Sequence, residues 1–235
     1  MLVEVWSDVM CPFCYIGKRK FENAMAISQH KEEIKLVWKS FQLSPDIQSS
    51  DSKDYVDFLQ QKKGFSEQQT KAMLGNVTQM ANDVGLDFHF EKAIVANSFN
   101  AHRLSHLAKK HNKQDEAEEA LFKAHFVEGK DINNVEVLQQ MGIDMGIDAD
   151  EVHKLVMGDG YTEAVRNDED EARQLGVTGV PFFVFNRKYA ISGAQDEKVF
   201  SDTIDKAFAE WKKDNASPVL EVIDGKVCKP GGECE

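Results

Sequence analysis

Residues 7–21 read SDVMCPFCYIGKRKF, with Cys11 and Cys14 two residues apart where an apolar run gives way to an amphipathic helix. Cys-x-x-Cys suits a metal clip, a structural staple or a redox centre, so the surroundings must choose. If Cys11 is the helix N-cap, its sulfur faces unpaired backbone amides and the positive end of the helix dipole, which favours a thiolate nucleophile. Pro12 at the first helical position loses no needed hydrogen bond. Cys14, nearly one turn further in, is then shielded and placed to act as the resolving thiol. The residues between the cysteines tune the redox potential, and Phe13 brings neither charge nor hydrogen bond to the sulfur.

Outward from this stretch the chain alternates strand and helix. LVEVWSD at 2–8 reads as a strand, and Ile16, Phe21 and Met25 continue at helical spacing. IKLVWKSFQL at 34–43 alternates Ile34, Leu36 and Trp38 with lysines and reads as a second strand, ended by SPD at 44–46. Residues 51–176 are expected to be a helical insertion whose last helix leads back to the sheet. Capping signals punctuate it: Ser66 with Gln69, Asn133 with Glu136, and Asp148 with Glu151. GVPFFVFNRKYAISGAQ at 179–195 gives two apolar runs around NRK, a hairpin, and an amphipathic helix follows at 196–213. Without the insertion, residues 1–50 and 177–213 have the thioredoxin order of elements. The expected class is therefore α/β, a thioredoxin-like fold with a large inserted helical domain and a tail at 214–235.

The chain has 235 residues, four cysteines and a formal net charge of -12. That charge argues against nucleic acid, whose binding draws on clustered Lys and Arg. No apolar run approaches the roughly 18 residues of a membrane span. LVEVW reads as a strand from Leu2 rather than as part of a secretory leader, so a cytoplasmic setting is expected. In a reducing compartment cysteines are more often catalytic or metal-binding than structural.

GVTGVPFF at 176–183 sets Pro181 at the opening of an apolar strand, where its missing donor does least harm. The Val180–Pro181 bond is either cis, beside Cys11, or an ordinary trans start to a strand. In folded proteins about one X-Pro bond in twenty is cis. SDVMCPFCYIGK, NAHRL at 100–104, HFVEGKDI at 125–132 and GVTGVPFFVFNRKYAISGAQ together resemble the DsbA-like thioredoxin-fold oxidoreductases of the FrnE branch. That branch is related to 2-hydroxychromene-2-carboxylate isomerases and kappa-class glutathione transferases. The resemblance runs from about residue 2 to 213. It implies a disulfide oxidoreductase with Cys11 as nucleophile, Cys14 as resolving cysteine and Pro181 as cis-proline, with Pro12, Phe13 and Val180 as accessories. Protein dithiols or disulfides, or small thiols, are the implied partners. No cofactor is expected to be tightly bound, and glutathione is a candidate co-substrate. Two departures stand out: DsbA has His where this chain has Phe13, and the isomerase and transferase relatives carry Ser at the position of Cys11. The second speaks against their glutathione chemistry here. The rival functions are a glutathione-dependent isomerase or transferase and a non-catalytic zinc module.

Other residues carry weaker signals. His102 and His106 share a helix face four residues apart, but no third metal ligand is evident, so helix packing is expected. Asn97, Ser98, Asn100, His102 and Arg103 face the cleft if the glutathione enzymes are a guide. Asp8 either modulates Cys11 or bonds to the local backbone. Glu4 and Lys39, on neighbouring strands, form either a buried proton-moving pair for Cys14 or a surface pair. Met73, Met80, Phe88 and Phe90 line a substrate groove or fill core. Cys228 and Cys234, flanking KPGGE, are a second redox pair, a staple or zinc ligands.

Overall fold

The computed structural model describes residues 1–47 and 55–215. The hydrophobic alternation of the first strand settles the architecture. In β1 (Leu2–Ser7), Val3 and Val5 point to one face of the sheet and Glu4 and Trp6 to the other. Beside it lie β2 (Lys35–Ser40), parallel, and β3 (Phe182–Phe185), antiparallel, with β4 (Tyr189–Ser192) antiparallel to β3. The strand order is β2-β1-β3-β4. The β3–β4 turn holds Asn186 and Arg187 at φ 49° and 55°, left-handed backbone that matches the twist of a hairpin.

On one face, α1 (Pro12–Ile27) and α9 (Glu197–Asp214) bury Phe21, Phe200, Ile204 and Phe208 against Val3, Val5, Phe183 and Phe185. On the other, α8 (Thr162–Gln174) covers Trp6 and Val184 through Ala172, with Val177 just beyond the helix. Between β2 and α8 come α2 (Tyr55–Lys63), α3 (Glu67–Asn82), α4 (Phe99–Lys110), α5 (Gln114–Phe126), α6 (Val135–Asp144) and α7 (Ala149–Met157). Their core is continuous with the start of α1: Leu104, Leu121, Phe122 and Phe126 belong to the same buried cluster as Cys11, Cys14, Tyr15 and Ile16.

Three side chains tie the insertion to the sheet. Gln114 accepts from the Trp38 N–H at 3.2 Å and donates to the Trp38 carbonyl at 3.0 Å, as a neighbouring strand would. Asp168 accepts from the Ser40 N–H at 3.0 Å, and the Trp6 indole donates to the Asp168 carbonyl at 2.9 Å. His106, on α4, lies 3.1 Å from both Ser40 Oγ and Asp168.

The capping signals mostly hold. Ser66 and Gln69 form the reciprocal box, and Asp148 accepts from Asp150 and Glu151. At α6 the cap is Asn134, accepting from Val137, not Asn133; with two cap-type residues in tandem, the turn at 131–134 fixes which one sits at the boundary. Glu4 and Lys39 do not pair either. Glu4 is buried against Arg187, while Lys39 donates to Asp168 at 2.8 Å and Glu171 at 3.0 Å. α8 lies over this face and supplies closer carboxylates.

Gly17 of α1 lets the helix approach the β3 entry. A Cβ there would stand 3.0 Å from Pro181 Cγ and 3.5 Å from the Phe183 ring. Gly17→Val should therefore cost about 1–3 kcal/mol by overpacking, measured as a lower urea midpoint. An unchanged midpoint would mean that the Pro181 segment yields freely.

Candidate active site

Cys11 is the N-cap of α1, in extended backbone, and Pro12 opens the helix. The turn before it is closed by the Cys11 N–H donating to the Asp8 carbonyl at 2.9 Å. The Val180–Pro181 bond is cis, and the Cys11 thiol donates to the Val180 carbonyl across 3.6 Å. So the two segments carrying the sequence signal, 170 residues apart, meet at one sulfur.

The two cysteines differ in surroundings. Cys11 keeps 4% of its surface exposed and lines the mouth of a cavity of about 280 Å³, whereas Cys14 has none. Burial pushes the Cys14 thiol well up, and the neighbouring Cys11 adds to this; contacts with the Ser7 hydroxyl and the Asp8 N–H act the other way. Opposite Cys11 the cavity wall is Tyr55, Phe58, Leu59 and Met73, with Lys62 and Lys63 at the rim. Tyr55 donates to the Met10 carbonyl at 3.4 Å, and burial, then the negative charges available at Cys11 and Asp8, push its phenol up, so it stays neutral. Phe13 is 39% exposed and stands between this cavity and an adjoining groove lined by Met73 and Met80. Phe88 and Phe90 belong instead to the buried core.

Asp8 and His102 are both buried, with His102 Nε2 3.7 Å from Asp8 Oδ1 and 3.2 Å from the Phe41 carbonyl. Asp8 also accepts from the Met10 N–H at 3.1 Å and the Leu43 N–H at 2.7 Å. Of the two alternatives for Asp8 the local one is realised, since it bonds its own turn, and it also reaches the insertion through His102. Burial would raise its carboxyl, but His102, Leu43 and Ser98 outweigh that and hold it below the usual carboxylate range. Burial would likewise lower His102, and the Asp8 carboxylate, with Glu118 and Glu169 further off, holds it above its ordinary value.

The remaining predicted residues support the site from a distance. Asn97 donates to the Pro45 and Ile47 carbonyls at 3.0 and 2.9 Å and accepts from Gln42 at 2.8 Å, pinning the segment after β2. Arg103 turns away to the end of α7, donating to the carbonyls of Leu155 and Gly158 at 2.6 Å and Gly160 at 2.7 Å. Asn100 braces it. Among the described residues, no three His, Cys, Asp or Glu side chains converge as metal ligands would. Cys228 and Cys234 lie outside the described residues. Sequence reasoning did not single out Ser7, Tyr55 or His125. His125 is a fully buried imidazole, with both nitrogens unpartnered among the described residues, and burial pushes it down to about 4.

The Asp8–His102 pair makes stability depend on pH. A raised His102 contributes fully below about pH 6.5, and the contribution fades as pH rises through its folded-state value. A depressed Asp8 contributes above about pH 3.9 and is lost as pH falls through its own. His102→Gln should cost about 3 kcal/mol between those limits, and less as pH rises through the folded-state value of His102. Urea unfolding of both proteins from pH 4 to 9 checks this; a difference independent of pH would show that the imidazolium does not hold the carboxylate.

Comparison with known proteins agrees with this geometry. A model of the DSBA-like thioredoxin domain matches residues 2–205. The crystal structure of a probable DsbA oxidoreductase from Streptomyces coelicolor has a TM-score of 0.85 and 35% identity, covering 100% of this chain and 98% of that one. An uncharacterized Bacillus subtilis protein, YwbO, is 26% identical over 211 residues, 86% of this chain and 94% of its own. At 14% identity, cytosolic disulfide reductase DsbM from Pseudomonas aeruginosa shares the fold, with a TM-score of 0.61 over 91% of this chain and 98% of that one. A cysteine pair on the first turn of α1 and a family match over nearly the whole described chain lead to one conclusion: this chain belongs to the DSBA-like thioredoxin-domain family, and its chemistry is thiol-disulfide exchange.

Proposed function

We propose that Cys11 is the nucleophile and Cys14 the resolving cysteine of a dithiol-disulfide cycle. The observation that carries this assignment is their unequal burial: Cys11 opens onto the cavity, and Cys14 is sealed behind it in the same helical turn. Cys11 as thiolate attacks one sulfur of a substrate disulfide, and the other substrate sulfur leaves as a thiolate. Cys14, deprotonated in turn, attacks Cys11 Sγ, breaks the mixed disulfide and expels the second substrate sulfur. Two electrons pass to the substrate, leaving a Cys11–Cys14 disulfide; the reverse sequence oxidises a substrate dithiol.

The cavity supports two kinds of substrate. Its aromatic and aliphatic wall suits a disulfide carried by an apolar polypeptide segment, with the Val180 backbone beside it at the cis bond. Lys62 and Lys63 at the rim suit the carboxylates of glutathione, and the P. aeruginosa disulfide reductase of the same fold has been solved with GSH. Glutathione thus enters as a co-substrate, and a reducing, cytoplasmic setting fits that role.

Equilibration of the full chain in glutathione redox buffers, with disulfides mapped by mass spectrometry, tests the assignment. Cys11 and Cys14 should interconvert between dithiol and disulfide with one midpoint. Cys11→Ser should reduce turnover to background, and Cys14→Ser should accumulate Cys11 joined to glutathione. If Cys11 and Cys14 never pair in the native chain, the cycle is refuted and a glutathione-dependent isomerase or transferase takes its place.

A further inference from the structure

The residue before Asp8 has no part in the cycle as described, yet its placement is unusual. Val3 and Val5 face α1 and α9, and the same alternation puts Ser7, the last residue of β1, on that face, below the first turn of α1. Ser7 is 1% exposed, and its hydroxyl has no hydrogen-bond partner of good geometry among the described residues. A buried hydroxyl left unpaired is costly, and a third aliphatic side chain after Val3 and Val5 would avoid the cost. The group against the hydroxyl is the Cys14 thiol, which the Asp8 N–H also approaches.

Cys14 is where charge must appear in a dry place. In the resolving step its proton passes to the departing substrate thiolate, the Cys14–Cys11 sulfur bond forms, and the Cys11–substrate bond breaks. In reverse, Cys14 leaves as the thiolate. We propose that the Ser7 hydroxyl and the Asp8 amide form a two-donor cradle for the Cys14 thiolate, with Ser7 turning its hydrogen onto the sulfur as negative charge develops. The proposal rests on the assignment of Cys14 as resolving cysteine. In the thiol state sulfur is a weak acceptor and the hydroxyl is nearly idle; in the thiolate state it makes a charge-assisted bond. Preorganised donors aimed at developing charge act on the transition state in just this way.

The test follows the full-length protein after mixing with oxidised glutathione, quenching with acid and quantifying Cys11–glutathione and Cys11–Cys14 by peptide mapping. Ser7→Ala should form the mixed disulfide at the native rate but resolve it about tenfold or more slowly. It should leave the glutathione equilibrium nearly unchanged, because burial keeps Cys14 a thiol in the reduced ground state and the hydroxyl acts only on the transient thiolate. Ser7→Thr, which keeps the hydroxyl, should resolve at nearly the native rate, and Ser7→Val, of similar shape, should not. Native-rate resolution in Ser7→Ala overturns the proposal, as does equal slowing in the Thr and Val variants, which would assign the loss to packing. Should Ser7→Ala fail to fold, the Thr and Val pair decides. Failure of Cys11 and Cys14 to pair in the native protein removes the parent assignment and this proposal together, an outcome distinct from normal pairing that is indifferent to Ser7.

Discussion

One buried carboxylate holds the active-site end of the molecule together. Asp8 sits where β1 ends, accepts from Met10 within its own turn and from Leu43 beyond β2, and faces His102 on the insertion. Taking a carboxylate out of water is expensive unless donors or an opposite charge replace the lost hydration, and here two backbone N–H groups and the His102 imidazole do so from three separate parts of the chain. The requirement works in both directions: Asp8 is tolerable only if the turn, the segment after β2 and α4 are all in place, and each is aligned to the cysteines by meeting at Asp8.

The same arrangement explains how two chemically identical thiols acquire different tasks. The insertion covers Cys14 with the cluster that includes Leu104 and Phe122, but leaves Cys11 on the wall of a cavity bounded by α2 and α3. The cis Val180–Pro181 peptide meets Cys11 from the sheet side through the Val180 carbonyl. Difference in solvent access, rather than any charged residue between them, is what distinguishes Cys11 from Cys14; Phe13, 39% exposed, lines the same cavity.

Much of this was legible in the sequence, for identifiable reasons. Elements built on local period, such as β1, α1, the hairpin and the Ser66 and Asp148 caps, could be read directly because neighbours along the chain decide them. The approach of Pro181 to Cys11 could not be read from spacing and followed from the family resemblance. Pairings between distant polar groups were beyond reach. Glu4 and Lys39 were natural partners from strand adjacency, yet α8 brought Asp168 and Glu171 to Lys39, and the hairpin brought Arg187 to Glu4. Arg103, placed near the cleft by the likeness to the glutathione enzymes, was drawn by three carbonyls at the end of α7. In each case the outcome turned on contacts between elements distant in the chain, which amphipathic period does not encode.

Gln114 has a consequence that extends past catalysis. By presenting its amide to both backbone groups of Trp38, it occupies hydrogen-bonding positions that another extended chain would need in order to join the sheet beside β2. With Asp168 taking the Ser40 N–H, the β2 edge is guarded at two points by the insertion. The inserted helices are therefore also a safeguard against intermolecular strand addition. An extended chain meeting this sheet finds little purchase on that side.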